Sequence, residues 1–324
     1  MNLHTNKELF KDAIQATAQD LKLREIYVEK DYWVTLALFE IFNSDLGKEV
    51  VFKGGSSLAK CYKVIERFSE DIDLVILKHK GDSDNQLKNR TRKVSKVVER
   101  IMPEIHVEGI TNKMGNIRKT AHEYPKGFDG SYGQVRKQVI VEATWLGHHE
   151  PYVNMEVSTL VADMMSEKKQ GPLLREYGMD PFEIQVLGLS RTICEKIMSL
   201  VRFSRTETPI ADLRNKIRHI YDLNRLLIVD ECKSFLHSED FNLVINRVGK
   251  DDVEGYKNNK DWLKEHPVKA LIFDDIENTW KQMSNVYNTG FKDLVTGTLP
   301  GEKEIVGTLE EIRSVLKKVD WSIT

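Results

Sequence analysis

The sequence predicts an α+β fold, with a mixed sheet flanked by helices in an N-terminal domain and a mainly helical C-terminal domain. Between about residues 50 and 157, short apolar or alternating segments typical of strands lie among amphipathic segments with helical spacing. After about residue 160 the spacing is helical almost throughout, apart from one strand-like segment at 182–187. We therefore expect two domains, at 1–160 and 161–324.

Composition indicates an ordinary globular protein. The chain has 324 residues, 40% hydrophobic and 30% charged, with a net charge of −2. Its apolar runs are far shorter than the roughly 20 residues that span a bilayer, and its polar N-terminus is unlike a signal peptide. The three cysteines lack the spacing of a disulfide framework or a zinc site. We expect a cytoplasmic protein with no membrane partner, in which any nucleic-acid contact is local.

Two helices are predicted before the first strand, at 3–23 and 27–45. Both have apolar residues at helical spacing, and the second has a wide apolar face. Glu29, Lys30 and Asp31 fall in the first turn predicted for the second helix. Because the helix dipole favours acidic residues there, we interpret these three residues as a solvated first turn.

A glycine–serine turn follows the first predicted strand, at 50–52. The turn consists of Gly54, Gly55, Ser56 and Ser57. Glycine permits positive φ and lets a ligand approach the backbone closely. The apolar spacing of 58–67 predicts a helix that begins at the serines, and its free N–H groups could bind a phosphate. The alternative is a simple turn with an N-cap serine.

Two carboxylates are predicted on one face of the next strand. In the segment 69–76, Asp71 and Asp73 point away from the apolar residues that alternate with them. Two carboxylates two residues apart repel each other unless a cation lies between them, and Mg²⁺ prefers such oxygen ligands. A solvated sheet face is the alternative for this motif alone. Together with the glycine–serine turn, the motif favours a metal site.

A third acid lies in a later strand, predicted at 138–146. Glu142 stands among apolar residues there, and an acid in such a strand is costly to bury unless it is paired or binds metal. We therefore predict that Glu142 is the third metal ligand. Glu156, in the segment 153–157, is the competing candidate.

Two basic segments lie between these strands. Residues 78–96 contain seven lysines and arginines and are predicted to form a loop followed by a helix. Residues 105–138 combine basic residues with tyrosines such as Tyr124 and Tyr132, a composition that could contact RNA phosphates and bases. A solvated charged surface is the alternative for both segments.

The C-terminal helices contain charged residues whose spacing alone indicates no chemistry. Lys196 lies at the edge of the apolar stripe of a helix at 190–203, where its ammonium can reach solvent. Arg218 and Asp222 are i, i+4 neighbours on a helix at 213–227, close to His219, and could form an ordinary intrahelical ion pair. We expect further helices at 234–324.

The motifs together indicate transfer of a nucleoside monophosphate from a nucleoside triphosphate (NTP) to an acceptor hydroxyl. Three carboxylates could hold one or two Mg²⁺ ions, with Mn²⁺ as an alternative, that neutralise the triphosphate and lower the pKa of the hydroxyl. Backbone N–H groups of the turn could hold phosphates so that pyrophosphate leaves in line. The Walker A pattern and the protein-kinase motifs are both missing from the sequence.

Four motifs occur in a characteristic order. The first reads GGSSLAKCY and then IERFSEDIDL, with Arg67 and Ser69 before the two aspartates; VIVEATWLG, TICEKIMSL and RHIYDLNRL follow. Over roughly residues 30–230 the sequence thereby resembles the AbiEii/AbiGii-type nucleotidyltransferases, the toxins of type IV toxin–antitoxin pairs. These belong to the polymerase-β-like nucleotidyltransferase superfamily, so the resemblance implies that fold for the N-terminal domain.

The resemblance implies roles for individual residues, and it reverses the interpretation of Lys196 and Asp222 as surface charges. Lys196 would contact nucleotide phosphates, and Asp222 would complete the site from the helical domain across a cleft. The implied phosphate-binding residues are Gly54, Gly55, Ser56, Ser57, Lys196 and Arg218. The predicted metal ligands are Asp71, Asp73 and Glu142, and the predicted catalytic residues are Asp71, Asp73, Lys196 and Asp222.

The resemblance also implies partners. The acceptor would be RNA, with tRNA as the target, and a cognate antitoxin would be encoded nearby. One alternative is transfer to a protein side chain or a small molecule. Another is a catalytically silent module that binds nucleotide, although a sensor would have no need of both Asp71 and Asp73.

Overall fold

The computed structural model describes residues 1–130, 132, 135–147, 150–255 and 261–323. The chain divides into two compact units. Unit 1 comprises Met1–Tyr62, Phe68–Trp145 and Tyr152–Val186, and unit 2 comprises Lys63–Arg67, Leu146–Pro151 and Leu187–Thr324. The predicted domains at 1–160 and 161–324 stay a prediction, since the units are interleaved along the chain.

A seven-stranded sheet is formed by the described residues of the first 187 positions. Its strands are β1 (Val50–Lys53), β2 (Ile72–Ile76), β3 (Glu104–Ile105), β4 (Ile117–His122), β5 (Val139–Thr144), β6 (Tyr152–Val157) and β7 (Phe182–Leu187). They lie in the order β3-β4-β5-β2-β1-β7-β6, with β2 in the centre. The pairs β1–β2, β3–β4 and β4–β5 are antiparallel, whereas β2–β5 and β1–β7 are parallel. The sheet is therefore mixed, as predicted.

Helices make up most of the remaining described structure. In the first 186 residues they are α1 (Lys7–Leu21), α2 (Glu25–Phe42), α3 (Gly54–Lys60), α4 (Asp84–Glu99), α5 (Leu160–Glu167) and α6 (Gly171–Glu176). In unit 2 they are α7 (Leu189–Phe203), α8 (Pro209–Asn215), α9 (Ile217–Leu226), α10 (Asp230–Leu236), α11 (Glu239–Gly255), α12 (Leu271–Asp274), α13 (Ile276–Val286) and α14 (Glu302–Leu316). The α+β class with a helical C-terminal region is confirmed. Among the helices described, none has the length and apolar character required to cross a bilayer.

Helix α2 is the central helix of unit 1. It packs against α1, α4 and α5, and its residues from Ile26 to Leu38 are all buried. Apolar side chains occur all round this helix instead of along one stripe, which is the pattern of a fully buried helix. Each large apolar side chain buried in this way contributes about 1.5–3 kcal/mol. The interpretation of Glu29, Lys30 and Asp31 as a solvated first turn is wrong.

Two predicted helices have different bounds in the structure. The helix predicted from the serines to Arg67 begins at Gly54 and ends at Lys60, and Lys63 then takes a φ of 53° that no α-helix can continue. The helix predicted at 213–227 is divided at Lys216 into α8 and α9. Apolar spacing continues through both interruptions, so periodicity alone could not locate them.

Candidate active site

A row of charged side chains crosses the centre of the sheet in unit 1. In register, Lys53 of β1 pairs with Asp73 of β2, Asp73 with Glu142 of β5, and Glu142 with Lys119 of β4. Residues paired in this way point to the same face of a sheet. Asp71 lies two residues before Asp73 and so points to that face as well. The structure therefore brings together the three acids predicted as metal ligands.

Two cations contact these acids directly. Lys119 Nζ lies 3.0 Å from Glu142 Oε2, and Arg136 Nη1 lies 2.7 Å from Asp71 Oδ2. Burial lowers the pKa of Lys119, but the nearby carboxylates, Glu142 first, outweigh it and raise the pKa overall. Both cations therefore stay charged beside the acids.

The ionised form of Asp73 is disfavoured relative to the protonated form in this position. Burial, and then the negative charges of Glu142 and Asp71, raise its pKa from 3.8 to about 7. Asp71 Oδ1 is buried and makes no hydrogen bond in the described structure. A buried acceptor without a donor is costly, and clustered like charges repel. Both costs would be relieved by a cation.

The donor set fits a hard divalent metal such as Mg²⁺, because all three acids supply oxygen ligands on one face. Among the described residues, however, no three His, Cys, Asp or Glu side chains are already gathered in a metal-binding arrangement. Lys119 and Arg136 occupy one oxygen each of Glu142 and Asp71. Metal binding would require these two ion pairs to open.

The structure separates the two candidates for the third acid. Glu142 is the register partner of Asp73 on the adjacent strand β5. Glu156 is an exposed residue of β6, and β1 and β7 lie between β6 and β2. This arrangement favours Glu142, as the sequence did.

The glycine–serine turn is tied to the aspartates through Gly54. Its φ is +84°, and a Cβ at this position would lie 2.3 Å from Asp73 Oδ2. Only glycine can therefore bring the start of α3 against the Asp73 carboxylate. Ser57 Oγ donates to Gly54 O at 2.9 Å, and Ser56 Oγ lies 3.0 Å from Ser69 Oγ. Both hydroxyls thus brace the turn.

Three consecutive charged residues of α2 support the surroundings of this site. The Lys30 ammonium contacts Glu70 Oε2 at 2.6 Å, with side-chain exposures of 0% and 3%. Glu29 Oε1 accepts from Gly127 N at 2.6 Å, and Asp31 accepts from Lys60 Nζ and from Leu160 N. The sequence did not identify these roles. The signal was available, since charged residues within a helix that is apolar all round must be paired.

A second charged cluster lies in unit 2 around Asp222, which is fully buried. Arg67 binds its carboxylate with two hydrogen bonds, from Nε at 2.7 Å and from Nη2 at 2.8 Å. Lys196 Nζ lies 2.7 Å from Asp222 Oδ2. Burial raises the pKa of Asp222, but Arg67 and Lys196 outweigh it and hold the pKa well below 3.8. Asp222 is therefore ionised and shared between two cations.

The interpretation of Lys196 as a solvent-facing residue was wrong, whereas the importance of Lys196 and Asp222 was implied by the resemblance. Lys196 is buried and does not reach solvent, because α7 and α9 pack together and place Asp222 opposite it. Asp222 pairs with Arg67 from a distant part of the sequence. Arg218 is half-buried beside His219, whose pKa burial holds well below 6.5. The roles predicted for Lys196, Asp222 and Arg218 stay predictions.

The tyrosines proposed to stack on RNA bases are internal. Tyr124 is 2% exposed and Tyr132 is 7% exposed, and their hydroxyls lie 3.2 Å apart. A tyrosine ring has a large apolar surface and is normally buried, even where the neighbouring residues in the sequence are basic. The aromatic part of that RNA-binding interpretation was wrong.

An α+β fold with paired aspartates on the central strand, behind a Gly-Gly-Ser-Ser turn, is the arrangement of a nucleotidyltransferase. Residues 36–311 match the family model of the nucleotidyl transferase AbiEii toxins of type IV toxin–antitoxin systems. The chain belongs to this family, and it is a nucleotidyltransferase toxin of that type. Membership implies an NTP substrate and a cognate antitoxin, as the resemblance did.

Among solved structures, this chain is similar to MenT4, a nucleotidyltransferase toxin from Mycobacterium tuberculosis H37Rv. The TM-score is 0.48 and the sequence identity 16%, over 95% of this chain and 90% of that one. No curated protein sequence matches the chain.

Proposed function

We propose that this nucleotidyltransferase is Mg²⁺-dependent and transfers a nucleoside monophosphate from an NTP to a hydroxyl of tRNA. The observation that carries the proposal is the cluster of Asp71, Asp73 and Glu142 on one face of the sheet. The raised pKa of Asp73 and the unbonded Asp71 Oδ1 support a cation in this position. These three acids would hold the metal.

The reaction forms a bond between the acceptor oxygen and the α-phosphorus of the NTP. The bond from that phosphorus to the oxygen bridging it to the β-phosphate breaks, and pyrophosphate leaves with the electron pair. The hydroxyl proton passes to a carboxylate of the cluster. When bound, Mg²⁺ supplies charge neutralisation of the phosphates and a lowered hydroxyl pKa. The chain's own contribution is to position the reactants and to exclude misaligned ones.

The predicted roles of Lys196, Asp222 and Arg218 belong to this proposal. Lys196 Nζ lies 2.7 Å from Asp222 Oδ2 in the cluster of unit 2. An ammonium group forms charge-assisted hydrogen bonds to phosphate, so this residue type suits a nucleotide phosphate. If this role is right, Lys196→Gln will raise the KM for NTP.

The choice of a polyanionic acceptor is supported by a basic surface in unit 1. A pocket of about 500 Å³ is lined by four basic residues, of which Lys113 and Arg118 form ion pairs with Glu104. The basic residues are Lys88, Arg92, Lys113 and Arg118. Arg118 precedes Lys119 on β4 and so points to the opposite face from the carboxylates. Because it lies on the other face of the sheet, this surface would bind the phosphate backbone of a large RNA away from the reacting hydroxyl.

The test is incubation of the protein with each α-³²P-labelled NTP, Mg²⁺ and purified tRNA, with Asp73→Asn as the matched control. We expect label in tRNA with the wild type and background label with the variant. Removal of divalent metal by EDTA should abolish transfer. Label that appears only in protein or small molecules would overturn the tRNA assignment. NTP binding without any transfer would indicate a silent nucleotide-binding module.

A further inference from the structure

The cations on the active-site face have no role in the chemistry described so far. Lys53, Lys119 and Arg136 stand beside Asp71, Asp73 and Glu142, so that three positive charges balance three negative ones. With acids alone, the face would hold a metal but would still repel a polyanionic triphosphate. With the cations present, the same face acquires a net positive charge once a divalent metal is bound.

The ion pairs of Lys119 and Arg136 are placed where they can exchange partners. The Lys119 and Glu142 side chains are 27% and 30% exposed, and those of Arg136 and Asp71 are 37% and 24% exposed. Ion pairs that water can reach are weak, because solvent screens the attraction. A divalent cation can therefore replace Lys119 at Glu142 and Arg136 at Asp71.

The backbone of Arg136, in contrast, is held firmly. Arg136 N donates to Glu70 Oε1 at 2.8 Å, and Lys30 Nζ donates to Arg136 O. Lys30 and Glu70 themselves form a buried ion pair. A buried pair cannot exchange its partners with solvent without leaving an unpaired charge inside the protein. The fold thus fixes the Arg136 main chain beside Asp71 and leaves only the guanidinium free to move.

We infer that Lys119 and Arg136 bind the triphosphate of the NTP after they have released Glu142 and Asp71 to the metal. The inference rests on the proposed function and deepens it, since it assigns the phosphate ligands of unit 1. Guanidinium and ammonium groups suit this role, because charge-assisted hydrogen bonds to phosphate are stronger than neutral ones. In the metal-free protein the two cations offset part of the repulsion among the acids.

If Lys119 and Arg136 bind phosphate, their replacement should weaken nucleotide binding without weakening metal binding. A purely structural role would weaken both. In saturating Mg²⁺, Lys119→Gln and Arg136→Gln should each weaken binding of a fluorescent NTP analogue by about ten- to a hundredfold. The same variants should bind Mn²⁺ at least as tightly as the wild type in the absence of nucleotide, because a competing cation is gone. Lys119→Arg and Arg136→Lys should restore much of the nucleotide affinity.

The experiment uses the full chain, with nucleotide binding followed by fluorescence anisotropy and Mn²⁺ binding by electron paramagnetic resonance. Lys11→Gln and Arg100→Gln remove one exposed positive charge each elsewhere and should leave both affinities unchanged. Nucleotide affinity within about twofold of the wild type in both active-site variants would overturn the inference. Parallel loss of nucleotide and Mn²⁺ affinity would also overturn it, since damage to the site predicts that result.

The proposed function can fail separately. If the wild type neither binds Mn²⁺ nor transfers label, the metal-dependent reaction is wrong, and the inference falls with it. If the wild type does both and the glutamine variants still bind nucleotide normally, only the assignment of Lys119 and Arg136 is wrong.

Discussion

Asp73 shows how position changes the properties of a single residue. Its neighbours in register are Lys53 and Glu142, and Gly54 lies against its carboxylate. Burial and the two nearby acids outweigh the cations, so the pKa of Asp73 rises to about 7. A carboxylate in this state is held in an unfavourable environment by the rest of the fold, as is common at functional sites.

Replacement of Asp73 by asparagine should abolish transfer and stabilise the metal-free protein. The folded-state pKa is raised, so the protonated form is favoured in the folded state and ionisation costs stability as the pH rises from 3.8 towards 7. We expect Asp73→Asn to gain about 1 kcal/mol at pH 8, after allowance for solvent screening, and nothing at pH 3.5. Urea unfolding at both pH values measures this difference.

Glu156→Gln is a suitable control, because this acid is exposed on β6 of unit 1, outside the carboxylate cluster. A stability gain in Asp73→Asn that is equal at both pH values would contradict the electrostatic cause. Transfer at the wild-type rate would contradict the assignment of Asp73 as a metal ligand.

Gly54→Ala should damage the site through a steric clash. The new Cβ would lie 2.3 Å from Asp73 Oδ2 in a backbone with φ of +84°. We expect a loss of about 1–3 kcal/mol in unfolding free energy and weaker Mn²⁺ binding, because the carboxylate must move. Gly81→Ala is the matched control, since Gly81 has a φ of +93° and open space around its Cβ position. Equal loss of Mn²⁺ affinity in both variants would contradict the clash.

At the scale of elements, α2 organises unit 1. Its three consecutive charged residues bind different segments: Glu29 the loop at Gly127, Lys30 the segments of Glu70 and Arg136, and Asp31 the helices α3 and α5. A buried helix with polar contacts to several segments fixes their mutual positions. Burial lowers the pKa of Lys30 and raises that of Glu70, and the attraction between the two groups opposes both shifts.

Lys30→Met should destabilise the protein by about 3–5 kcal/mol, because Glu70 is left buried without its partner. The double variant Lys30→Met, Glu70→Gln should recover a large part of this loss, since no unpaired charge remains and Gln can still accept from Arg136 N. Urea unfolding of the single and double variants measures the coupling.

The exposed pair Lys168–Asp20 provides the control, and Lys168→Met should have no measurable effect on stability. Equal destabilisation in the single and double variants of the Lys30–Glu70 pair would show that lost packing, and not an unpaired charge, is the cause.

At the scale of the whole molecule, acid stability depends on groups whose pKa is lowered by folding. Asp222 is such a group, because Arg67 and Lys196 outweigh the effect of burial. Its contribution to stability is complete above pH 3.8, the value before folding, and is lost as the pH falls towards the lower folded-state value. This dependence has the opposite sign to that of Asp73.

Asp222→Asn should therefore cost about 3–5 kcal/mol at neutral pH, because Arg67 and Lys196 lose their counter-charge. The difference from the wild type should stay constant between about pH 7 and pH 5 and shrink below 3.8. Tryptophan fluorescence can follow urea unfolding, since three of the five tryptophans lie in unit 2. A difference that grows on acidification would contradict the ionised state of Asp222.

Local sequence patterns were sufficient for part of the site. The alternation around Asp71 and Asp73 predicted their common face, and the isolated acid in β5 predicted Glu142, because both depend on the two-residue period of a strand. Helix ends were less predictable, as the early end of α3 shows. Lys119 and Arg136 had no local signal, since their importance comes from strands and loops that meet only in the folded chain.

The α+β class, the family motifs and the acids of the central strands can be read from the amino-acid sequence, because short-range periodicity and order along the chain contain that information. Three other features require the folded chain: Lys53, Lys119 and Arg136 balance those acids, Lys30 and Glu70 form a buried pair, and Arg67 and Lys196 share Asp222. Charges act through distance in space, and sequence spacing specifies that distance only within one helix or strand.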